Sequence, residues 1–252
     1  MNSGMGRRTV VAALLSALLP SGVLGRPAVG RKALLVLLET NPWLMVVGSD
    51  SPRFALYDDG LAIFRAGDGF KSVSLSDAEM SALLDRVDAP ALVPLAKRYE
   101  VSSATDQPTE ILAMFVEGKR SIIDIYGPLK SLDTGSSVPE KIMSAYRQLT
   151  TFDHPRAQSW LPDKIEVMIW PYDYAPQASI IWPKGWPGID DANTVKRGDS
   201  YSLFVPSSHY AALTAFLRTR KEKGAVEIGG KKWAAAIRFP FPNEASWMRE
   251  PS

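Results

Sequence analysis

The chain has 252 residues, 46% of them hydrophobic and 22% charged, with a formal net charge of +2 and no cysteine. This ordinary globular balance excludes disordered, collagen-like and disulfide-scaffold classes. Without cysteine there are no disulfides, thiolate metal sites, cysteine nucleophiles or amino-terminal lipid anchors on Cys.

Residues 1–25 read as a signal peptide. Arg7 and Arg8 form a positive start, residues 9–19 are apolar, and Pro20-Ser21-Gly22 breaks the run ahead of Val23-Leu24-Gly25. The apolar run is shorter than the about 20 residues a membrane helix needs. Cleavage would remove both arginines and leave a formally neutral chain, which lacks the electrostatic footprint of a nucleic-acid binder. The expected destination is the periplasm or the outside of the cell, with no stable membrane insertion once the leader is gone. Residues 26–42 are expected to be a leader-proximal linker, in which the apolar patch 33–38 extends the leader or makes a short helix.

Residues 43–152 and 153–252 are then expected to form two α+β halves of one compact domain. Residues 43–48 are an apolar strand candidate. Asp58-Asp59-Gly60 joins residues 54–57 to 61–65 as a hairpin, because Asp-Gly tolerates the positive φ that such turns require. Ser76 and Glu79 fit a capping box, and Met80, Leu83, Leu84 and Val87 follow at helical spacing until Pro90. A second hairpin runs through residues 117–120. Pro139 opens a helix with Ile142, Tyr146 and Leu149 on one face.

Strands are expected at 165–170, 178–182 and 201–205. Ser207 or Ser208 should cap a helix running to Arg220, with Gly224 ending it. The cations at Arg218, Arg220, Lys221 and Lys223 suit the end of that helix. A last hairpin turns at residues 229–232. Val73, Leu75, Met80, Leu83 and Val87 match Leu203, Val205, Tyr210, Leu213 and Leu217 at a constant offset of 130. That suggests a two-half pseudo-repeat of strand, helix and hairpin. The fold class is therefore α+β: antiparallel sheets built from β-hairpins and packed with about three amphipathic helices.

Catalytic signatures are scarce. There is no G-x-S-x-G elbow, and Gly198-Asp199-Ser200 sits between two strand candidates as a turn. His154 and His209 lie in no metal-spaced motif and read as surface residues. Walker and dinucleotide loops are missing, and Gly67-Asp68-Gly69 reads as a loop. No catalytic residue, metal or cofactor is therefore assigned.

The most distinctive segment is 160–187, where Trp160, Trp170, Tyr172, Tyr174, Trp182 and Trp186 alternate with prolines. Trp170, Tyr172, Tyr174, Trp182 and Trp186 are the candidate binding residues. On a proline-stiffened segment they would offer a rigid platform to a protein, peptide or glycan partner at low entropic cost. The competing reading has the same tryptophans covering an open sheet edge. A non-enzymatic exported binding module is the expected function. Its alternative is a cell-envelope hydrolase using Asp163, Glu166, Asp173, Asp190 or Asp191 on carbohydrate.

Overall fold

The computed structural model describes residues 30–129 and 137–247; the signal-peptide reading of residues 1–25 lies outside them. Within these residues fourteen strands form two sheets, and the helices pack against them.

The larger sheet is ordered β5-β7-β6-β1-β2-β3-β4-β8. Its strands are β1 (Ala33–Thr40), β2 (Phe54–Tyr57), β3 (Leu61–Ala66), β4 (Gly69–Ser74), β5 (Arg98–Glu100), β6 (Thr109–Val116), β7 (Lys119–Tyr126) and β8 (Gln158–Trp160). Helices α1 (Asp77–Val87), the one-turn α2 (Ala89–Leu92) and α3 (Glu140–Thr150) belong to the same part of the chain. The smaller sheet is ordered β10-β13-β14-β9-β12-β11. It comprises β9 (Lys164–Pro171), β10 (Gln177–Ile181), β11 (Val195–Arg197), β12 (Ser200–Pro206), β13 (Gly224–Ile228) and β14 (Lys231–Arg238), with α4 (Tyr210–Arg218). The pairings are antiparallel apart from β5–β7 and β10–β13. Because β8 pairs with β4, the chain changes sheet between Trp160 and Lys164, later than the expected boundary between residues 152 and 153.

The larger sheet is buried on both faces, and its side chains alternate between two cores. Leu35, Phe54, Leu56, Phe64, Leu112 and Ile123 join α1–α3 in the first core. Val36, Ala55, Tyr57, Ile63, Phe70 and Ala113 join the smaller sheet and α4 in the second. In β1 a register shift between Ala33 and Leu35 puts Leu34 and Leu35 on the same side, so Ala33 and Val36 share the other. Residues 33–38 are thus neither leader nor helix: they lie in the strand between β6 and β2. A continuous apolar run is what burial on two faces requires.

Residues 43–48 also depart from expectation. They form turns, because Asn41-Pro42 ends β1 and the Asn41 side chain accepts the Trp43 N–H at 2.9 Å. Trp43 remains 74% exposed.

The hairpins sit where their turn residues place them. Both Glu117-Gly118 and Gly229-Gly230 take positive φ, as a two-residue I′ turn requires. At Asp58-Asp59-Gly60 only Gly60 does, so the loop is of the three-residue kind with its third residue left-handed. The Ser76–Glu79 capping box is formed in full. At α4 the expected serine cap is replaced by a 3₁₀ turn, Ser207–His209, and the Ser207 hydroxyl donates to the Pro162 carbonyl instead.

The pseudo-repeat is only partial: α2 and β5 stand between α1 and the hairpin β6–β7 whereas α4 leads directly to β13, and the sheet pairings differ. After α1 the hairpin β6–β7 pairs inward through its first strand, β6 on β1. After α4 the hairpin β13–β14 pairs inward through its second, β14 on β9. No helix among the described residues is long and apolar enough to cross a membrane.

Candidate functional site

The two sheets meet at a cleft of about 370 Å³ with a mixed polar and apolar lining. One wall comes from the end of β1 and the loop that follows. There Asn41 donates its backbone N–H to Asp50 Oδ1 at 3.1 Å, and the Ser49 hydroxyl donates to the Val46 carbonyl at 2.7 Å. The loop is then stitched to β14. Arg238 Nε donates to the Asp50 carbonyl at 3.0 Å, and the Phe239 N–H donates to Ser51 Oγ at 2.8 Å. Arg238 is itself buried, 2.7 Å from Glu166 and 2.6 Å from Glu244. A fixed charge network therefore anchors one side of the cleft.

Glu39, Ser49, Asp50, Ser51, Arg53 and Arg65 supply its polar lining. Leu44, from the loop after β1, and Ile237 and Phe239, from the end of β14 and just beyond it, supply an apolar patch. Glu39 and Arg53 pair at 2.6 Å, both half-buried. Arg65 lies over the Phe70 ring at 5.1 Å and has no ion pair among the described residues. Burial pushes the Asp50 carboxyl up from 3.8 to about 6, and the Glu39 charge adds to this. The Asn41 N–H, its own backbone N–H and the Arg238 charge oppose the shift. A carboxyl that titrates near neutrality inside a cleft, with cations beside it, marks a site physically suited to binding or proton transfer.

The Trp-rich segment is distributed differently from a platform. Trp170 is half-buried on β9 opposite Ala234, on the face of the sheet away from Val167 and Ile169. Tyr172 is half-buried, and its backbone N–H donates to the Lys232 carbonyl at 3.0 Å. Tyr174 is 95% exposed. Only Trp182 and Trp186 come together, edge to face, with ring centroids 5.1 Å apart and an interplanar angle of 81°. Both rings also meet Phe216 of α4 edge-on, and Trp182 Nε1 donates to the Pro187 carbonyl at 3.1 Å. These two indoles pack on Phe216 of α4 and present no coplanar surface.

The acids of that segment are scattered as well. Glu166 is buried and ion-paired to Arg238. Asp191 accepts the Asn193 N–H within a turn. Asp173 and Asp199 line a separate hollow with Lys196, Lys231 and Lys232.

His154 is half-buried rather than a plain surface residue. Its Nδ1 accepts the Arg156 N–H and its Nε2 lies 3.2 Å from Glu79. The Ser76 backbone N–H, Arg156 and the Ser76 hydroxyl hold the Glu79 carboxyl down at about 2. The cluster thus fastens the start of α1. His209 is exposed and stacks on Trp186. Arg220 turns away from the helix end, towards the Met45 sulfur and the Gly224 carbonyl. Among the described residues no group of three or more His, Asp or Glu side chains is placed to hold a metal ion.

Sequence reasoning missed the cleft, although signals for it were present. Glu39 and Arg65 each break an otherwise apolar strand run, Arg53 stands directly before one, and Ser49-Asp50-Ser51-Pro52 was legible only as a turn. No family model matches the chain, and no curated protein or solved structure matches it either.

Proposed function

We propose that this chain is an exported binding protein, periplasmic or secreted, whose partner enters the cleft over Asp50. One observation carries the reading. Both sheets contribute to a single concave site that combines both charge signs, two buried serines and an apolar patch. The basic start and short apolar run of residues 1–25 support export. The aromatic segment supports the reading less, because Trp182 and Trp186 are spent on packing α4. Hydrolysis of carbohydrate by the acids of that segment has weaker support, since Glu166 is committed to Arg238.

The test is native mass spectrometry of the protein recovered from the cell envelope, comparing wild type with Arg65→Glu and Tyr174→Ala. Bound mass lost in Arg65→Glu and kept in Tyr174→Ala is the expected result. The reverse pattern would move the site to the exposed tyrosine, and equal retention in both variants would sink the cleft reading. The intact mass also tests export, because residues 1–25 should be missing from the exported protein.

A further inference from the structure

We propose that the ligand of this cleft is a small zwitterion, an α-amino acid or dipeptide with an apolar side chain. The inference rests on the binding role proposed above and names its chemistry. The lining holds two carboxyls, Glu39 and Asp50, and two guanidiniums, Arg53 and Arg65. Arg53 already compensates Glu39 at 2.6 Å. That leaves Asp50 and Arg65 as the unlike pair facing the same space. A ligand ammonium beside Asp50 would also lie in the field of Glu39. Arg65 stands in the fields of Glu39, Asp68 and Asp50 but makes no ion pair among the described residues, and a ligand carboxylate beside it would supply one. Leu44, Ile237 and Phe239 then offer the apolar wall for a side chain.

Other ligand classes fit less of this lining. A polyanion would meet the two carboxyls and be repelled. A neutral sugar would leave Arg65 without a direct ion-pair partner and Leu44 without an apolar one. A cation alone would satisfy the acids but stand against both guanidiniums. The volume of about 370 Å³ is at the small end for ligand sites, which suits a single amino acid or a dipeptide.

Proton linkage follows from the geometry. Asp50 faces Glu39 at the end of β1, the Asn41 N–H in its own loop and Arg238 on β14, with Arg53 and Arg65 lining the same cleft. An ammonium placed beside it favours the ionised carboxyl, so binding should release a proton near pH 6. Affinity for the zwitterion should therefore rise between pH 5 and pH 7.

Isothermal titration of the exported protein with L-leucine and L-leucyl-L-leucine tests this directly. Leucinamide, 4-methylpentanoate and an N-acetylglucosamine oligomer serve as the partial and uncharged probes. At least one zwitterion should bind about tenfold more tightly than either half-charged analogue. Arg65→Gln should weaken the zwitterion about tenfold while leaving leucinamide unchanged, and Asp50→Asn should do so while leaving 4-methylpentanoate unchanged. If neither zwitterion binds but the sugar oligomer does, in a way that Arg65→Gln abolishes, the amino-acid assignment falls and the cleft reading stands. Zwitterion binding that neither variant alters would overturn both.

Discussion

At Arg238 one guanidinium donates to Glu166, to Glu244 and to the Asp50 carbonyl. Removing it would take the close cation from Glu244 and leave Glu166 with the longer 3.5 Å contact to Arg197, in a region where both carboxylates have little water to turn to. Arg238→Met should therefore cost about 3–5 kcal/mol in urea unfolding, the usual cost of breaking a buried pair from one side. Adding Glu166→Gln should recover part of the loss, and a single-variant cost below about 1 kcal/mol would show the network to be incidental. Asp50 acts in the opposite direction. Its carboxyl holds a proton up to about pH 6 in the folded chain and only to about 3.8 in its ordinary state. The folded state thus binds more protons over that window, and stability falls as pH rises from about 4 to 6, then levels. At pH 7 the ionised side chain costs up to about 3 kcal/mol, reduced by its partial exposure. Asp50→Asn should be the more stable protein above pH 6 and match wild type at pH 4. A pair of denaturation series at those two pH values decides it.

Among the elements, the hairpins show what local chemistry specifies and where it stops. The β2–β3 hairpin could be read from Asp58-Asp59-Gly60 alone, since a left-handed third residue selects glycine. A Cβ on Gly60 would lie 2.3 Å from the Leu75 carbonyl oxygen, which the turn holds close through the Leu75 N–H on the Gly60 carbonyl. Gly60→Ala should therefore cost about 2–4 kcal/mol by thermal unfolding, from backbone strain and the clash together. Gly118→Ala, also left-handed but with open space around it, should cost only about 1–2 kcal/mol. Equal costs at the two positions would show that the contact with Leu75 contributes nothing. The α1 start was equally legible, because Ser76 and Glu79 satisfy each other within four residues. Strand β1 was not. Its apolar residues 33–38 have no alternation to read, since one side of the strand feeds the first core and the other side the second. The cleft was hidden for a different reason. Its closing hydrogen bonds join residues 188 apart, Asp50 to Arg238 and Ser51 to Phe239, and no local pattern encodes that meeting.

For the molecule as a whole, the larger sheet cannot be completed by its own half of the chain. Its second face, with Val36, Tyr57, Ile63 and Phe70, is covered by residues that arrive after Lys164. The segment following β14 returns to it as a strap. Tyr57 donates its hydroxyl to the Pro242 carbonyl at 2.9 Å, Asn243 donates to the Arg31 carbonyl at 2.9 Å, and Arg120 donates to the Trp247 carbonyl at 2.8 Å. Phe241 and Trp247 are buried in that same core. Cutting between the sheets, at residues 162 and 163, would thus expose one apolar face on each product, and such faces drive association rather than independent folding. Fragments 26–162 and 163–252, expressed separately, should lack a cooperative urea transition and dispersed amide resonances. The intact chain should unfold in a single transition that tryptophan fluorescence and far-ultraviolet circular dichroism report together. A cooperative transition in the larger fragment alone would mean that the first core, with α1 and α3, suffices to hold its sheet. The shared core would then be an interface between two units, and the cleft over Asp50 would lie between parts free to move against each other.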